Sequence, residues 1–192
     1  MGKPRILAFA GSLRRDSFNK KLVKIAAQAA RNAGAEVTEI DLKDYPLPIY
    51  DGDIEAESGL PENARKLKAL FLDHKALLLS CPEYNSSITG VLKNVIDWVS
   101  RSAPGEASLA AFSGKVVTLM AASPGALGGL RGLVHVRSIL GNIQCIVLPD
   151  QVAVSKANEA FDESGKLKDP KQHASIEKLG ATCAAVTAKL AS

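Results

Sequence analysis

The first residues with types and spacing suited to ligand chemistry follow a short apolar run near the start of the chain. Ser12 and Ser17 supply hydroxyl donors, Asn19 supplies an amide, and Arg14 supplies a guanidinium. A guanidinium together with free backbone N–H groups at a helix start is typical of phosphate binding. The segment has neither the P-loop pattern nor the glycine pattern of a dinucleotide-binding turn. It predicts a phosphate site, and the competing interpretation is a capped helix with solvated arginines.

A second polar segment, residues 82–90, follows the third apolar run of the chain. Its Tyr84, Asn85 and Ser86 could contact a planar aromatic group, while backbone N–H and C=O groups bind the edge of that group. A loop that caps the next helix would have a similar composition, so this alternative stays open. Cys81, just before the segment, is interpreted as a small buried residue, since free cysteine is commonly buried.

A third segment, residues 122–129, is rich in small residues and includes Ser123 and Gly125. Four glycines between positions 125 and 132 would let the backbone approach a flat ligand closely. A flexible turn would have the same composition, and the spacing alone favours neither interpretation.

The elements that must position these segments alternate regularly along the chain. Apolar runs predict strands at residues 5–10, 36–42, 76–81, 115–122 and 143–148. Amphipathic patterns predict helices at residues 17–33, 61–74, 90–101, 127–141 and 170–190. Such alternation is typical of a parallel sheet with helices on both faces, here within one domain spanning residues 1–192. Ligands of these α/β sheets bind at the carboxyl ends of the strands, where all three segments begin.

Composition excludes several classes of protein. The 192 residues are 46% hydrophobic and 23% charged, as in an ordinary globular protein, and no apolar run is long enough to span a membrane. The 24 basic and 20 acidic residues give a net charge of +4 that is spread along the chain, and aromatic residues make up only 5%. Nucleic-acid binding is therefore not expected.

The three cysteines and three histidines are widely spaced and match no disulfide or zinc pattern. The first residues of the chain show no signal-peptide pattern. We therefore expect a cytoplasmic protein without a structural metal.

Two motifs resemble those of the NADPH-dependent FMN reductase family, and in particular its chromate or quinone reductase branch. The first runs from Gly11 through Arg14 to Ser17-Phe18-Asn19, and the second is the long segment from Pro82 to Arg101. The likeness extends over essentially the whole chain. It implies a flavodoxin-like three-layer α/β sandwich with strand order 2-1-3-4-5, bound FMN, NADPH or NADH as electron donor, and a homodimer or homotetramer.

The resemblance also assigns residues to the cofactor. The FMN phosphate would be held by Ser12, Arg14, Ser17 and Asn19, with Phe18 in the same motif. The isoalloxazine would be framed by Pro82, Glu83, Tyr84, Asn85 and Ser86. Ser123 and Gly125 would lie on the other side of the isoalloxazine.

Three features of the second motif allow further expectations. Arg101 is implied to reach a neighbouring subunit's flavin, and the alternative is an ion pair with Asp97, four residues earlier on the helix. Thr89 stands where the family often has proline, a departure expected to loosen the loop. Trp98 belongs to a wide apolar arc that predicts a subunit contact, although part of that arc must cover the chain's own sheet.

FMN would supply the redox chemistry, so we expect no catalytic side chain and no metal. The expected reaction is hydride transfer from NAD(P)H to FMN, followed by electron transfer to small-molecule acceptors such as quinones, free flavin or chromate. The alternatives are a flavodoxin-type electron carrier without its own NAD(P)H turnover, and a sensor or scaffold that has kept only the fold.

Overall fold

The computed structural model of the protein describes residues 2–103 and 105–190. Five strands pair in parallel in one sheet, and two short antiparallel strands form a separate hairpin. The strands are β1 (Arg5–Ala10), β2 (Glu36–Glu39), β3 (Ala76–Ser80), β4 (Glu83–Tyr84), β5 (Ser87–Ile88), β6 (Val116–Ala122) and β7 (Ile146–Val154). The sheet order β2-β1-β3-β6-β7 confirms the order predicted for the five main strands, and with it the flavodoxin-like fold.

Helices cover both faces of the sheet, which explains why its strands are apolar on both sides. Ile6 and Ala8 of β1 pack toward the first and last long helices, whereas Leu7 and Phe9 pack toward three helices on the opposite face. The helices are α1 (Phe18–Asn32), α2 (Gly52–Ser58), α3 (Glu62–Asp73), α4 (Gly90–Val99), α5 (Leu130–Asn142), α6 (Ala157–Ala160) and α7 (Pro170–Leu190). Among the described residues, no helix combines the length and apolarity needed to cross a membrane.

The contact between α1 and α7 depends on one glycine. A Cβ atom placed on Gly180 would lie 2.0 Å from the carbonyl oxygen of Ala26, which is far inside van der Waals contact. The two helices therefore approach so closely that only hydrogen fits at position 180. This packing fixes α1, whose first residues border the predicted phosphate site.

Several predicted boundaries differ from those in the structure by one to three residues, and two departures are larger. The fifth strand was expected at residues 143–148, but β7 continues to Val154 after a register shift opposite Val117 and Leu119. A bulge tolerates Pro149, which cannot donate a backbone hydrogen bond, without ending the strand. The stretch between the predicted strand at 36–42 and the predicted helix at 61–74 contains α2, which begins where the Asp51 carboxylate accepts the Asp53 N–H at 2.9 Å.

Candidate functional site

The three segments predicted to bind a ligand meet at the carboxyl edge of β1, β3 and β6. The N–H of Gly11 donates to the Ser80 carbonyl at 2.9 Å, and the Thr89 hydroxyl donates to the Gly11 carbonyl at 2.7 Å. A Cβ on Gly129 would lie 3.8 Å from the Cβ of Glu83, so the third segment lies against the second. The sheet therefore brings together the groups that the sequence separates.

The first segment keeps most of its donors available. Ser12 and Ser17 are buried at 3% and 4% exposure, whereas Arg14 is exposed. Among the described residues, the Arg14 guanidinium makes no hydrogen bond or ion pair, although its backbone N–H donates to the Ser12 Oγ at 3.3 Å. The segment thus presents an unengaged cation beside two hydroxyl-bearing side chains.

The start of α1 adds backbone donors to the same place. Ser17 is the N-cap residue, and its hydroxyl makes no capping hydrogen bond to the helix. Bonding to the Ser17 carbonyl starts with the N–H of Lys20, at 3.0 Å, so the N–H groups of Phe18 and Asn19 precede it. Such N–H groups together with the positive end of the helix dipole favour an anion.

The Asn19 side chain makes structural hydrogen bonds, and its contact with the phosphate stays a prediction. Its side-chain carbonyl accepts from the Ala122 N–H at 3.0 Å and from the Ser80 hydroxyl at 2.8 Å, and its amide donates to the Ala122 carbonyl at 2.8 Å. The residue is only 4% exposed. The Asn19 side chain therefore ties α1 to the ends of β3 and β6, and its carbonyl and one amide hydrogen are already used.

The second segment is a hairpin rather than an open loop. Asn85 and Ser86 form its two-residue turn with φ values of +50° and +65°, and Tyr84 beside them is 53% exposed. Pro82, at the base, is buried. The Tyr84 ring and the turn residue Asn85 are therefore exposed at this edge of the sheet.

The Glu83 side chain does not point toward a ligand at this edge. Its carboxylate accepts from the Arg131 Nη2 at 2.8 Å and from the Gly132 N–H at 3.0 Å, both on α5. Burial alone would raise the pKa of Glu83, but these hydrogen bonds outweigh it and hold the pKa below its ordinary value. That Glu83 frames the ring stays a prediction, and because its carboxylate is engaged we assign that role to its main chain.

The glycines of the third segment differ in their surroundings. Gly129 has a φ of +97°, and a Cβ there would lie 2.8 Å from the Cβ of Ala121, so close packing requires this glycine. A Cβ on Gly125 would meet only the Ser123 Oγ, at 3.7 Å. Glycine at position 129 thus serves the fold, whereas Gly125 and Ser123 border open space.

Arg101 lies away from these segments, at the other end of α4. Its Nε donates to the Asp97 carbonyl at 3.1 Å, and its guanidinium lies 5.3 Å from the centre of the Tyr50 ring. The alternative ion pair between Asp97 and Arg101 is wrong, because the Asp97 carboxylate binds the Lys93 ammonium at 2.8 Å. Trp98 is fully buried and donates to the Pro48 carbonyl, so its ring is not part of an exposed contact surface.

Thr89 does not loosen the second segment as expected. Besides its bond to Gly11, its hydroxyl accepts the N–H of Leu92 at 3.3 Å and caps α4. Its φ of −71° is one that proline also adopts. The hydroxyl therefore adds two contacts that proline in this position could not make.

Cys81 directly follows β3 at the site, but its thiol is unreactive. It is fully buried, and burial raises the pKa of its thiol to about 12. The thiolate is the reactive form of cysteine, so the residue is inert at neutral pH. Within the described ranges, no three His, Cys, Asp or Glu side chains are grouped as metal ligands would be.

The groups at this edge fit FMN better than a dinucleotide. Hydroxyls, helix-start N–H groups and one unengaged guanidinium match a phosphate monoester, while the hairpin beside them offers main-chain groups suited to the edge of a flat ring. These groups lie at the carboxyl ends of the strands, which is where ligands bind in open α/β sheets.

Known proteins place the chain in a family. The sequence profile described as NADPH-dependent FMN reductase matches residues 4–159. An NAD(P)H-dependent FMN reductase of Pseudomonas aeruginosa is 36% identical, covering 90% of this chain and 89% of its own, and a quinone reductase of Escherichia coli is 32% identical, covering 87% and 86%. Among solved structures, the flavoenzyme NAD(P)H:(acceptor) oxidoreductase FerB from Paracoccus denitrificans superposes with a TM-score of 0.80 at 26% identity, covering 97% and 98%.

These similarities confirm the predicted resemblance and enzyme class, an NAD(P)H-dependent oxidoreductase that uses FMN. The match covers all three segments of the site as well as most of the sheet. The chain belongs to the NADPH-dependent FMN reductase family.

Proposed function

We propose that this protein is a cytoplasmic oxidoreductase that takes electrons from NADPH or NADH through bound FMN and passes them to quinones. Free flavin and oxidised metal ions such as chromate would be further acceptors. The observation that supports the proposal most is the unengaged Arg14 guanidinium, which lies four residues before α1 in the segment that follows β1.

Each part of the chain has a defined task in this proposal. When bound, FMN supplies the hydride and electron chemistry, so the protein needs to bind and orient it rather than provide a base or nucleophile. Ser12, Arg14 and Ser17 hold the phosphate, together with the N–H of Phe18. Asn19 acts as a positioning residue, because its side chain fixes α1 against the sheet.

The ring end of the site is formed mainly by backbone. The main chain of residues 82–85 and the Ser86 turn lie along the isoalloxazine, with Tyr84 exposed at the hairpin tip. Ser123 and Gly125 would border the other side of the ring, where a Cβ on Gly125 would meet only the Ser123 Oγ, at 3.7 Å. This open side would admit nicotinamide and acceptor in turn.

Purified protein tests the proposal. Mass spectrometry of the released cofactor should give FMN and not FAD, because the site has no dinucleotide-binding glycine pattern. The purified protein should then oxidise NADPH or NADH with quinone, ferricyanide and chromate as acceptors. Bound FMN without NAD(P)H oxidation would instead identify a flavodoxin-type carrier, and the absence of any flavin would identify a scaffold.

We also propose that the protein is a homodimer or homotetramer. An open cleft of about 440 Å³ beside the first segment is lined by Leu13, Leu47, Ile49 and Val91, and Ile49 is 86% exposed. Arg101, at the far end of the same helix as Val91, would then face a neighbouring subunit. Light scattering should give a multiple of 20.2 kDa for the wild type and a smaller assembly for Ile49→Asp. A wild-type mass of one chain at micromolar concentration would contradict the proposal.

A further inference from the structure

The β4–β5 hairpin is held against α5 by one buried carboxylate. The Glu83 side chain is 9% exposed, and its Oε1 accepts from both the Nε and the Nη2 of Arg131, at 3.0 and 2.8 Å. The two bonds give the planar guanidinium a fixed orientation on the carboxylate. No motif in the sequence marks Arg131 as a functional residue.

The second oxygen of Glu83 serves the helix. Gly132 is the third residue of α5, and its N–H donates to the Glu83 Oε2 at 3.0 Å. Bonding to the N-cap residue Gly129 starts with the Leu133 N–H, at 3.2 Å, so the Gly132 N–H depends on Glu83. The carboxylate therefore caps α5 from another part of the chain and lies at the positive end of its dipole.

The hairpin and helix are in direct contact around this ion pair. A Cβ on Gly132 would lie 3.3 Å from both the Glu83 Cβ and the Ser87 carbonyl oxygen. One turn further along α5, the His135 Nδ1 lies 2.9 Å from the Ser87 Oγ. Hydrogen bonds from α5 thus reach both strands of the hairpin.

The hairpin has little stability of its own. Each of its strands has two residues, and both turn residues, Asn85 and Ser86, have positive φ values. Short isolated hairpins are marginally stable in water. Contacts with the rest of the protein, those with α5 among them, must therefore account for most of the order in this segment.

We propose that Arg131 is a positioning residue for the flavin ring, because its ion pair with Glu83 orders the hairpin main chain before the cofactor binds. This inference rests on the proposed function, since it takes the main chain of residues 82–85 to lie along the isoalloxazine. A surface formed in advance loses less conformational entropy when the ring binds. Arg131 would thus affect flavin binding without touching the phosphate.

Matched variants of the full-length protein test the inference. Arg131→Met keeps the aliphatic length of the side chain but removes the guanidinium that makes two hydrogen bonds. Arg131→Lys keeps a positive charge that can make a single bond to Glu83. Arg137→Met is the control on the same helix: that arginine binds the Gln151 Oε1 at 2.9 Å and the Pro149 carbonyl at 3.3 Å, both away from the hairpin.

The first readout is amide hydrogen exchange at residues 83–88 in flavin-free protein, and the second is the affinity for FMN and for riboflavin. Arg131→Met should speed exchange roughly three- to tenfold and weaken the binding of both flavins by the same factor. Arg131→Lys should give intermediate exchange rates and affinities. Arg137→Met should change neither readout. Equal weakening is expected because riboflavin keeps the ring and lacks the phosphate.

Three results would overturn the inference: unchanged exchange at residues 83–88 in Arg131→Met, a loss of affinity for FMN alone, or an equal effect of Arg137→Met. Failure of the proposed function would look different, because the wild type itself would then bind neither flavin. That result would overturn the flavin role of Arg131 as well, whereas the exchange data would still show whether the ion pair orders the hairpin.

Discussion

The first segment of the site and the β4–β5 hairpin use their polar side chains in opposite ways. In the first segment, the Arg14 guanidinium makes no contact with other described residues, and the Ser17 hydroxyl leaves the helix uncapped. In the hairpin, the Glu83 carboxylate is fully engaged by Arg131 and Gly132. Under the proposed function, the first region therefore presents side chains to FMN, whereas the hairpin uses its charged side chain for its own structure and presents backbone.

Asn19 belongs to the first segment but uses its side chain for the structure, as Glu83 does in the hairpin. Its replacement by alanine should have the largest free-energy effect of the variants. Asn19→Ala leaves the Ala122 N–H and carbonyl and the Ser80 hydroxyl without partners in a buried place. Buried polar groups without partners cost about 1–3 kcal/mol each, so we expect the free energy of unfolding to fall by about 3–5 kcal/mol. Urea denaturation of the flavin-free protein measures the change.

The matched control is Asn63→Ala, which removes a single bond to the Pro46 carbonyl near the surface and should cost less than about 1 kcal/mol. If Asn19→Ala instead kept its stability and lost affinity for FMN but not for riboflavin, Asn19 would be a phosphate ligand after all.

Arg14→Ala should have the next largest effect. A charge-assisted hydrogen bond is worth about 1.5–3 kcal/mol, so FMN binding should weaken roughly 10- to 150-fold while riboflavin binding stays the same. Arg15→Ala is the control, because Arg15 is an equally exposed neighbouring arginine to which the family motif assigns no contact with the phosphate. Titration of both flavins into the flavin-free proteins measures the affinities. Equal losses in the two variants would place the phosphate elsewhere.

Thr89 connects the two regions, and its variants should have a smaller effect. Thr89→Val removes the bond to the Gly11 carbonyl and the cap of α4, and should lower the free energy of unfolding by about 1–2 kcal/mol. Thr89→Ser keeps the hydroxyl and should stay close to the wild type. Thermal unfolding of the three proteins measures the difference, and equal stability of Val and Ser variants would show that the hydroxyl has no role.

Replacement of Cys81 should have the smallest effect on activity, although the residue directly precedes the hairpin segment. With its pKa raised to about 12 from 9.0, the thiol stays protonated, and alkylation by iodoacetamide at pH 8 should occur only after unfolding. Because the folded state holds this proton more tightly, the associated stability is present below pH 9 and is lost as the pH rises toward 12. Cys81→Ala should keep NAD(P)H oxidation within about twofold, and a large loss would assign the thiol a role.

The sequence predicted the fold well because the sheet is buried on both faces. Apolar runs without a polar face gave β1 the same bounds as the structure and gave β3 bounds one residue longer. Helix α2 was missed because its residues are not buried and show no apolar stripe, although Asp51 as N-cap and Gly59 at the end were readable signals. The extension of β7 was missed because Pro149 resembles a strand end.

The candidate site could be predicted by residue type but not by how each side chain is used. Asn19 and Arg14 are both good phosphate donors in isolation, and only the fold shows that Asn19 on α1 bonds to the sheet while Arg14, in the segment before α1, is exposed. The same holds for Glu83, whose partner Arg131 lies 48 positions further along the chain. A hydrogen bond across that separation leaves no periodic signal in a single sequence.

A crystal structure of the FMN complex tests most directly whether phosphate and ring bind in these two regions. It should place the phosphate at the first segment, within hydrogen-bond distance of the Arg14 guanidinium and the Phe18 N–H, and the isoalloxazine along the main chain of residues 82–85. The Glu83 carboxylate should remain bound to Arg131. A phosphate bound away from Arg14, or a ring contacted by the Glu83 carboxylate instead of the hairpin main chain, would contradict the assignment.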